Sequence, residues 1–274
     1  MMTFAARRWL AGIIGTLVTA AIVAVLWSSS LSIHHTAHLS GWLLLASLLF
    51  LTSYNLRKKM PYPPLIKSST WLQFHIYVGL LSILLFVCHT GIRLPNGPLE
   101  TVMAALYACV AITGIIGLML SRIIPSRLAV RGPEVLYERI PSFRRQLREQ
   151  AKQLAVDSVQ ETNLTTLSDF YAKRLADYFR GPRDYWRHLF QSSRPRHEIV
   201  SSLHSLDRYL NDQERRIADK LEELIENKDT LDYHHAMQGT LKGWLFVHIP
   251  LTYVLLLFVA VHVWLVHAFF GGIR

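Results

Sequence analysis

Five stretches of the chain carry no Asp, Glu, Lys or Arg: Trp9–Leu31, Leu39–Leu56, Trp71–Ile92, Thr101–Ser121 and Gly243–Ile273. A helix needs roughly 20 apolar residues to cross a bilayer. Each stretch meets or approaches that length, Leu39–Leu56 being the shortest. The pattern predicts an all-α, integral membrane helical bundle with about five transmembrane helices. Four lie within residues 1–123 and the fifth within 241–274. Between them, residues 124–240 are polar and read as a cytoplasmic helical insertion. Its clearest element is predicted from about Glu198 to Asn227. There Ile199, Leu203, Leu206, Leu210, Ile217, Leu221 and Leu224 recur every three or four residues, with Gln213 in the remaining slot. Such a stripe either packs on its own neighbours or docks a partner helix.

Composition fits this division. Of 274 residues, 51% are apolar and 18% charged, against about 25% charged in an ordinary soluble domain. The window from 121 to 240 holds 18 of the 19 acidic and 20 of the 29 basic side chains. The rest of the chain has nine cations and one anion. The net charge of +10 is therefore no nucleic-acid-binding signature; it belongs to the cationic borders of apolar segments. Arg7 and Arg8 precede the first stretch, Arg57, Lys58, Lys59 and Lys67 follow the second, and Arg122, Arg127 and Arg131 follow the fourth. The positive-inside rule then sets the amino terminus and residues 122–242 in the cytoplasm and the carboxy terminus outside, in a bacterial-type inner membrane. Trp9, Trp27, Trp42, Trp71 and Trp244 fall near stretch ends, as interfacial aromatics do. The first stretch has the flanks of a signal peptide but is too long for its apolar core, and reads as a retained anchor.

Two cysteines, Cys88 and Cys109, supply neither a disulfide framework nor a CxxC pair. Cys88 reads as a buried apolar filler. No nucleotide-binding glycine motif is present.

The histidines carry the chemistry. His75 and His89 lie in the third stretch, and His248 and His262 in the fifth. Both pairs are 14 residues apart, which keeps each pair near one helix face with its members about 21 Å apart along the axis. His75 is four residues past Trp71 and His248 four past Trp244. One spanning segment separates the two helices, so they run parallel and the histidines match in depth. Ionisable residues within spans are costly and are functional candidates by default. The pairs His75/His248 and His89/His262 suit the axial ligands of two b-type haems; a proton path or a metal without haem is the other reading.

The arrangement resembles the di-haem membrane cytochromes b, in particular the haem-bearing core of cytochrome bc complexes and of ferric-reductase-like proteins. The likeness covers Trp71–Arg93, Thr101–Ser121 and Trp244–His267, and leaves out residues 124–240. It implies two haem b groups ligated through iron by those four histidines. It also implies electron transfer across the membrane between quinone and a partner redox subunit, such as a cytochrome c, iron–sulfur or flavin protein, within a respiratory-type complex. Arg93 and His267 are candidate contacts for a haem propionate, or for quinone in the case of His267, and Lys242 is a weaker inner one. A transmembrane ferric reductase subunit, or a non-redox scaffold or transporter, are the alternatives. His34, His35 and His38 read as a solvated outer loop or as a quinone or partner contact. Asp229, Asp232, His234 and His235 read as a solvated turn or a proton relay. Gly79, Gly114 and Gly117 read as helix-packing positions, and Pro250 as a kink.

Overall fold

The computed structural model describes residues 36–59, 68–91, 93–132, 135–190 and 194–270. The predicted first span, with His34 and His35, lies outside the described residues. Among those residues every regular element is helical. The long helices are α1 (Thr36–Lys59), α2 (Ser68–Thr90), α3 (Pro98–Val130), α4 (Ile140–Thr162), α5 (Arg194–His204) and α6 (Asp212–Phe270). Short helical turns occupy the segment between α4 and α5, among them Thr166–Phe170 and Tyr185–Leu189.

Among the described residues three helices are long and apolar enough to cross a membrane: α2, α3 and α6. The apolar part of α1, His38–Tyr54, is shorter than that. Only 11% of each apolar window in α2, α3 and α6 is buried, so most of that surface needs an apolar solvent. Phe246, Leu257, Trp264 and Met119 stand among the exposed side chains. Hydroxyls within these helices bond back along the helix: Ser47 to the Leu43 carbonyl, Thr90 to Phe86 and Thr252 to His248. No lone polar group is thereby offered to lipid. Gly91 ends α2 in the left-handed region at φ +61°, its N–H reaching the Val87 carbonyl at 2.9 Å, as a glycine just past a helix end does.

The chain forms two compact units whose boundaries fall inside α3 and α6, at Leu118/Met119 and Leu245/Phe246. The first is built from α1, α2, the start of α3 and the end of α6. Its core is Leu44, Leu48, Leu85, Tyr107, Leu255 and Val259. The Tyr107 ring stacks on Phe86 with centroids 4.1 Å apart, and its hydroxyl lies 3.0 Å from Ser82 Oγ.

The second unit, Met119–Leu245, buries the predicted stripe. Leu203, Leu210, Ile217 and Leu221 are core residues, with Ile199, Leu206 and Leu224 packed against them. The stripe therefore packs within the unit. It is not one helix from 198 to 227, however. α5 ends at His204, a 3-10 turn covers Asp207–Tyr209, and α6 begins at Asp212. Asn211 is the reason for the restart. Its Oδ1 accepts from the Glu214 N–H at 2.8 Å while its own N–H donates to Glu214 Oε2 at 3.2 Å. This reciprocal cap fixes a new helix start. It also leaves Gln213 exposed.

α6 then continues for 59 residues, through Pro250, into the apolar stretch. Asp229, Asp232, His234 and His235 thus belong to a helix, and the first three are buried. The solvated-turn reading is corrected: Asp212 to Phe270 has no glycine–proline break, and basic partners accompany the acids into the core.

Candidate functional site

The four intramembrane histidines all belong to the first unit. His75, on α2, interacts electrostatically with His248 on α6. His262, on α6, does the same with His89 on α2. Each pair thus joins the same two helices.

Around His75 the neighbours come from α1. Its ring lies 5.3 Å from that of Tyr54, tilted by 46°, and bonds the Leu51 carbonyl. Its Nδ1 is buried with no hydrogen-bond partner. A carbonyl only accepts, so the other nitrogen, Nε2, carries the proton and Nδ1 the lone pair. A buried acceptor without a donor is costly, unless something outside the chain fills the position.

His248 is set by Thr113 on α3. Thr113 Oγ1 is 2.8 Å from the Cys109 carbonyl and 3.0 Å from that of Val110, and 2.9 Å from His248 Nδ1. The hydroxyl's single proton goes to a carbonyl, so Nδ1–H of His248 must donate and Nε2 carries the lone pair. Fixing one ring nitrogen by a hydrogen bond sets the tautomer a metal ligand requires.

His89 meets the start of α1. Ser40 Oγ is 3.5 Å from its Nδ1. A Cβ added to Gly41 would stand 2.9 Å from His89 Cε1 and 3.2 Å from Nδ1, so only glycine leaves space for this ring. Gly114 and Gly79 are different. Added methyl groups there would make ordinary contacts, at 3.7 Å to His248 and 3.9 Å to Leu51.

The remaining sequence candidates separate. His267 bonds the Val263 carbonyl through Nδ1 at 2.8 Å and joins a ring cluster with Trp42, centroids 5.8 Å apart, and His38, 6.4 Å apart. Trp42 Nε1 donates to His38 Nε2 at 3.0 Å. Arg93 is exposed beyond the end of α2. Lys242 lies in the second unit, 2.5 Å from Glu138 Oε1 and over the Tyr137 ring. Cys88 is exposed rather than buried, since no helix among the described residues covers that position of α2.

In the second unit, Asp232 is the centre of a buried ionic cluster. Arg144 Nε is 2.9 Å from its Oδ1, while Lys228 Nζ and the Arg183 N–H donate to Oδ2. Arg131 bonds Asp229 at 3.3 Å and covers the Tyr233 ring at 4.5 Å. His188 Nε2 is 3.9 Å from Asp229 Oδ1. Burial pushes the His188 pKa below its ordinary 6.5, outweighing Asp229, Asp232 and Asp184, which raise it; Arg131 lowers it further. Just below pH 6.5 the unfolded chain then binds the proton that the folded one refuses, so stability rises with pH. Acidification through pH 6.5 is expected to destabilise this unit, and His188→Gln to flatten that slope, read as thermal unfolding against pH.

Among the described residues, no three or more His, Cys, Asp or Glu converge as a direct metal-binding group. The histidines come as pairs, and two imidazoles are one of the ligand sets that can hold a haem iron. The residues that set them (Ser40, Gly41, Leu51, Tyr54 and Thr113) escaped the sequence reading, since the charge-free stretches Leu39–Leu56 and Thr101–Ser121 contain no histidine. Only the Ser40-Gly41 and Thr113-Gly114 doublets inside apolar runs hinted at them. Comparison with protein families, characterised proteins and solved structures gives no match, so any functional reading rests on these residues.

Proposed function

We propose that the chain is a di-haem b-type cytochrome subunit that carries electrons across a membrane between a quinone pool and a partner redox protein. The observation that carries this is the pairing of His75 with His248 and of His89 with His262, each pair 14 residues from the next on both helices. The residues fit the group. His75 keeps a buried nitrogen without a hydrogen bond, Thr113 fixes the His248 tautomer, and Gly41 leaves room for His89. In this reading the apolar segments make five spans, with the amino terminus and residues 124–240 cytoplasmic and the carboxy terminus outside.

Haem bound at the two pairs supplies one-electron Fe(III)/Fe(II) couples. The chain holds and tunes them. Leu51 and Thr113 orient the imidazoles of one pair, Ser40 and Gly41 place His89, and the Phe86–Tyr107 stack with Leu85, Leu48 and Leu255 fills the level between. That packing keeps water away from both sites and lowers the local dielectric, which shifts the couples relative to solvated haem.

The purified chain is expected to show a b-type reduced-minus-oxidised spectrum, with close to two haems per chain by pyridine haemochrome. Gently solubilised protein without haem would overturn the reading in favour of a scaffold or transporter. Gly41→Ala is expected to displace His89 and lower the content towards one haem, with helix content by circular dichroism unchanged. Full retention of both haems would detach Gly41 from the site.

A further inference from the structure

The short helix Tyr185–Leu189 is fastened at the positions where α3 and α6 change from charge-free to charged. Leu189, like Leu120 and Leu128 of α3, packs against the cluster of Ile124, Tyr233 and Met237, and its carbonyl accepts from Arg127 Nη1 at 3.4 Å. The charge-free stretch of α3 ends at Ser121, with Arg122 next. Ile124 is therefore only about 4–5 Å past that point along the axis. On α6 the attachment is at the matching place. Tyr185 Oη is 2.8 Å from Thr240 Oγ1, and a Cβ on Gly239 would be 3.6 Å from the Tyr185 ring. Lys242 is the last charge before the apolar stretch that opens at Gly243. Both helices set Tyr185–Leu189 within about two turns of the level where their apolar surface begins.

What this short helix leaves uncovered is aromatic. Trp186 is 68% exposed and Phe190 78%. Cations flank them: from Arg180 to Arg196 there are five arginines and a single acid, Asp184. Arg187 pairs with Asp184 at 3.3 Å and Arg196 with Glu226 at 3.5 Å, and Arg183 and Arg180 both lean on Asp177. Ion pairs this exposed are weak, and a phosphate can compete for the same guanidinium groups. Aromatic rings beside arginines at the depth where spanning helices meet water are the chemistry of a lipid interface.

We propose that Trp186 and Phe190 insert into the headgroup–acyl boundary of the bilayer that α3 and α6 cross, with the flanking arginines on lipid phosphates, so that residues 180–190, with Arg194 and Arg196, form an interfacial anchor for the second unit. The inference rests on α3 and α6 spanning a membrane and is independent of haem.

The test uses the full chain in nanodiscs containing phosphatidylcholine and phosphatidylglycerol, with ordinary or brominated acyl chains. A fluorescent nitrobenzoxadiazole label is attached at Trp186→Cys or Phe190→Cys in a Cys88→Ser/Cys109→Ser background. Tyr209→Cys, at a 65%-exposed position of the same unit, is the reference. Labels at 186 and 190 are expected to emit further to the blue, to be quenched several-fold more by brominated lipid and to be shielded from aqueous iodide. Iodide quenching equal to that at 209 would overturn the proposal. Shielding from both quenchers would overturn it too, since a protein surface would then cover the rings. If labelled chains fail to fold, brominated-lipid quenching of tryptophan emission is compared between the unlabelled protein and Trp186→Phe. A quenchable component that disappears in the variant supports the anchor, and identical quenching sinks it.

Discussion

Replacing His248 by alanine is expected to leave one haem where the unsubstituted chain holds two. In the proposed reading the haem would not be covalently attached, since no Cys-x-x-Cys-His occurs in the sequence, so two iron–imidazole bonds and apolar packing would retain it. His75→Ala should remove the same haem, and His89→Ala or His262→Ala the other. The double variants separate this from general misfolding. His75→Ala with His248→Ala empties one site and should still leave one haem, because the second substitution acts where the first already has. His75→Ala with His262→Ala empties both. The opposite result would reassign the pairs. Thr113→Val keeps all four histidines but removes the acceptor of the His248 Nδ1–H. Loss of a metal ligand's hydrogen-bonded partner costs roughly 10- to 100-fold in affinity, so this variant should lose that haem first during dilution, and His267→Ala neither.

That α2, α3 and α6 are long and apolar enough to cross a membrane, and that α2 and α6 each carry two of the histidines on one helix, was legible because both depend on local rules. A charge-free run long enough to span a bilayer needs no knowledge of its neighbours, and 14 residues on a helix return to nearly the same face. What surrounds the histidines was not legible. Ser40, Gly41 and Thr113 come from α1 and α3, whose rotation against α2 and α6 no periodicity states. Gly114, singled out beside Gly79 and Gly117, meets His248 only at an ordinary distance. The tight approach belongs to Gly41, in the shortest of the five charge-free stretches.

The second unit misled differently. Its apolar stripe was read with the right residues, but as one helix. Hydrophobic spacing tolerates a 3-10 turn that restores the phase, and only the Asn211–Glu214 reciprocal cap marks the restart. The acids at 229 and 232 looked solvated because charge beside an apolar segment usually is. Their burial follows from cations 98 and 88 residues away in sequence, Arg131 beside Asp229 and Arg144 beside Asp232, which helix packing brings together.

That burial makes Asp232→Ala the substitution with the largest expected cost to folding. Asp232 is 3% exposed and Lys228 is fully buried. Removing the carboxylate leaves Lys228 and Arg144 without their common counter-charge and the Arg183 N–H without its acceptor. Breaking one side of a buried ion pair costs about 3–5 kcal/mol, a large part of the stability of a unit this size. Limited proteolysis within residues 124–240 should accelerate accordingly, at temperatures where the unsubstituted protein resists cleavage. Asp232→Asn retains an acceptor but no charge, and is expected to fall between the two. Lys228→Met combined with Asp232→Ala is the informative variant. With the orphaned ammonium replaced by an apolar chain of similar length, part of the loss should return. If the single and double variants unfold alike, the cost lies in the Arg144 and Arg183 contacts rather than in the buried lysine. The four histidines of the proposed haem sites belong to the other unit, so in that reading the haem spectrum of each variant would report whether the damage stays local.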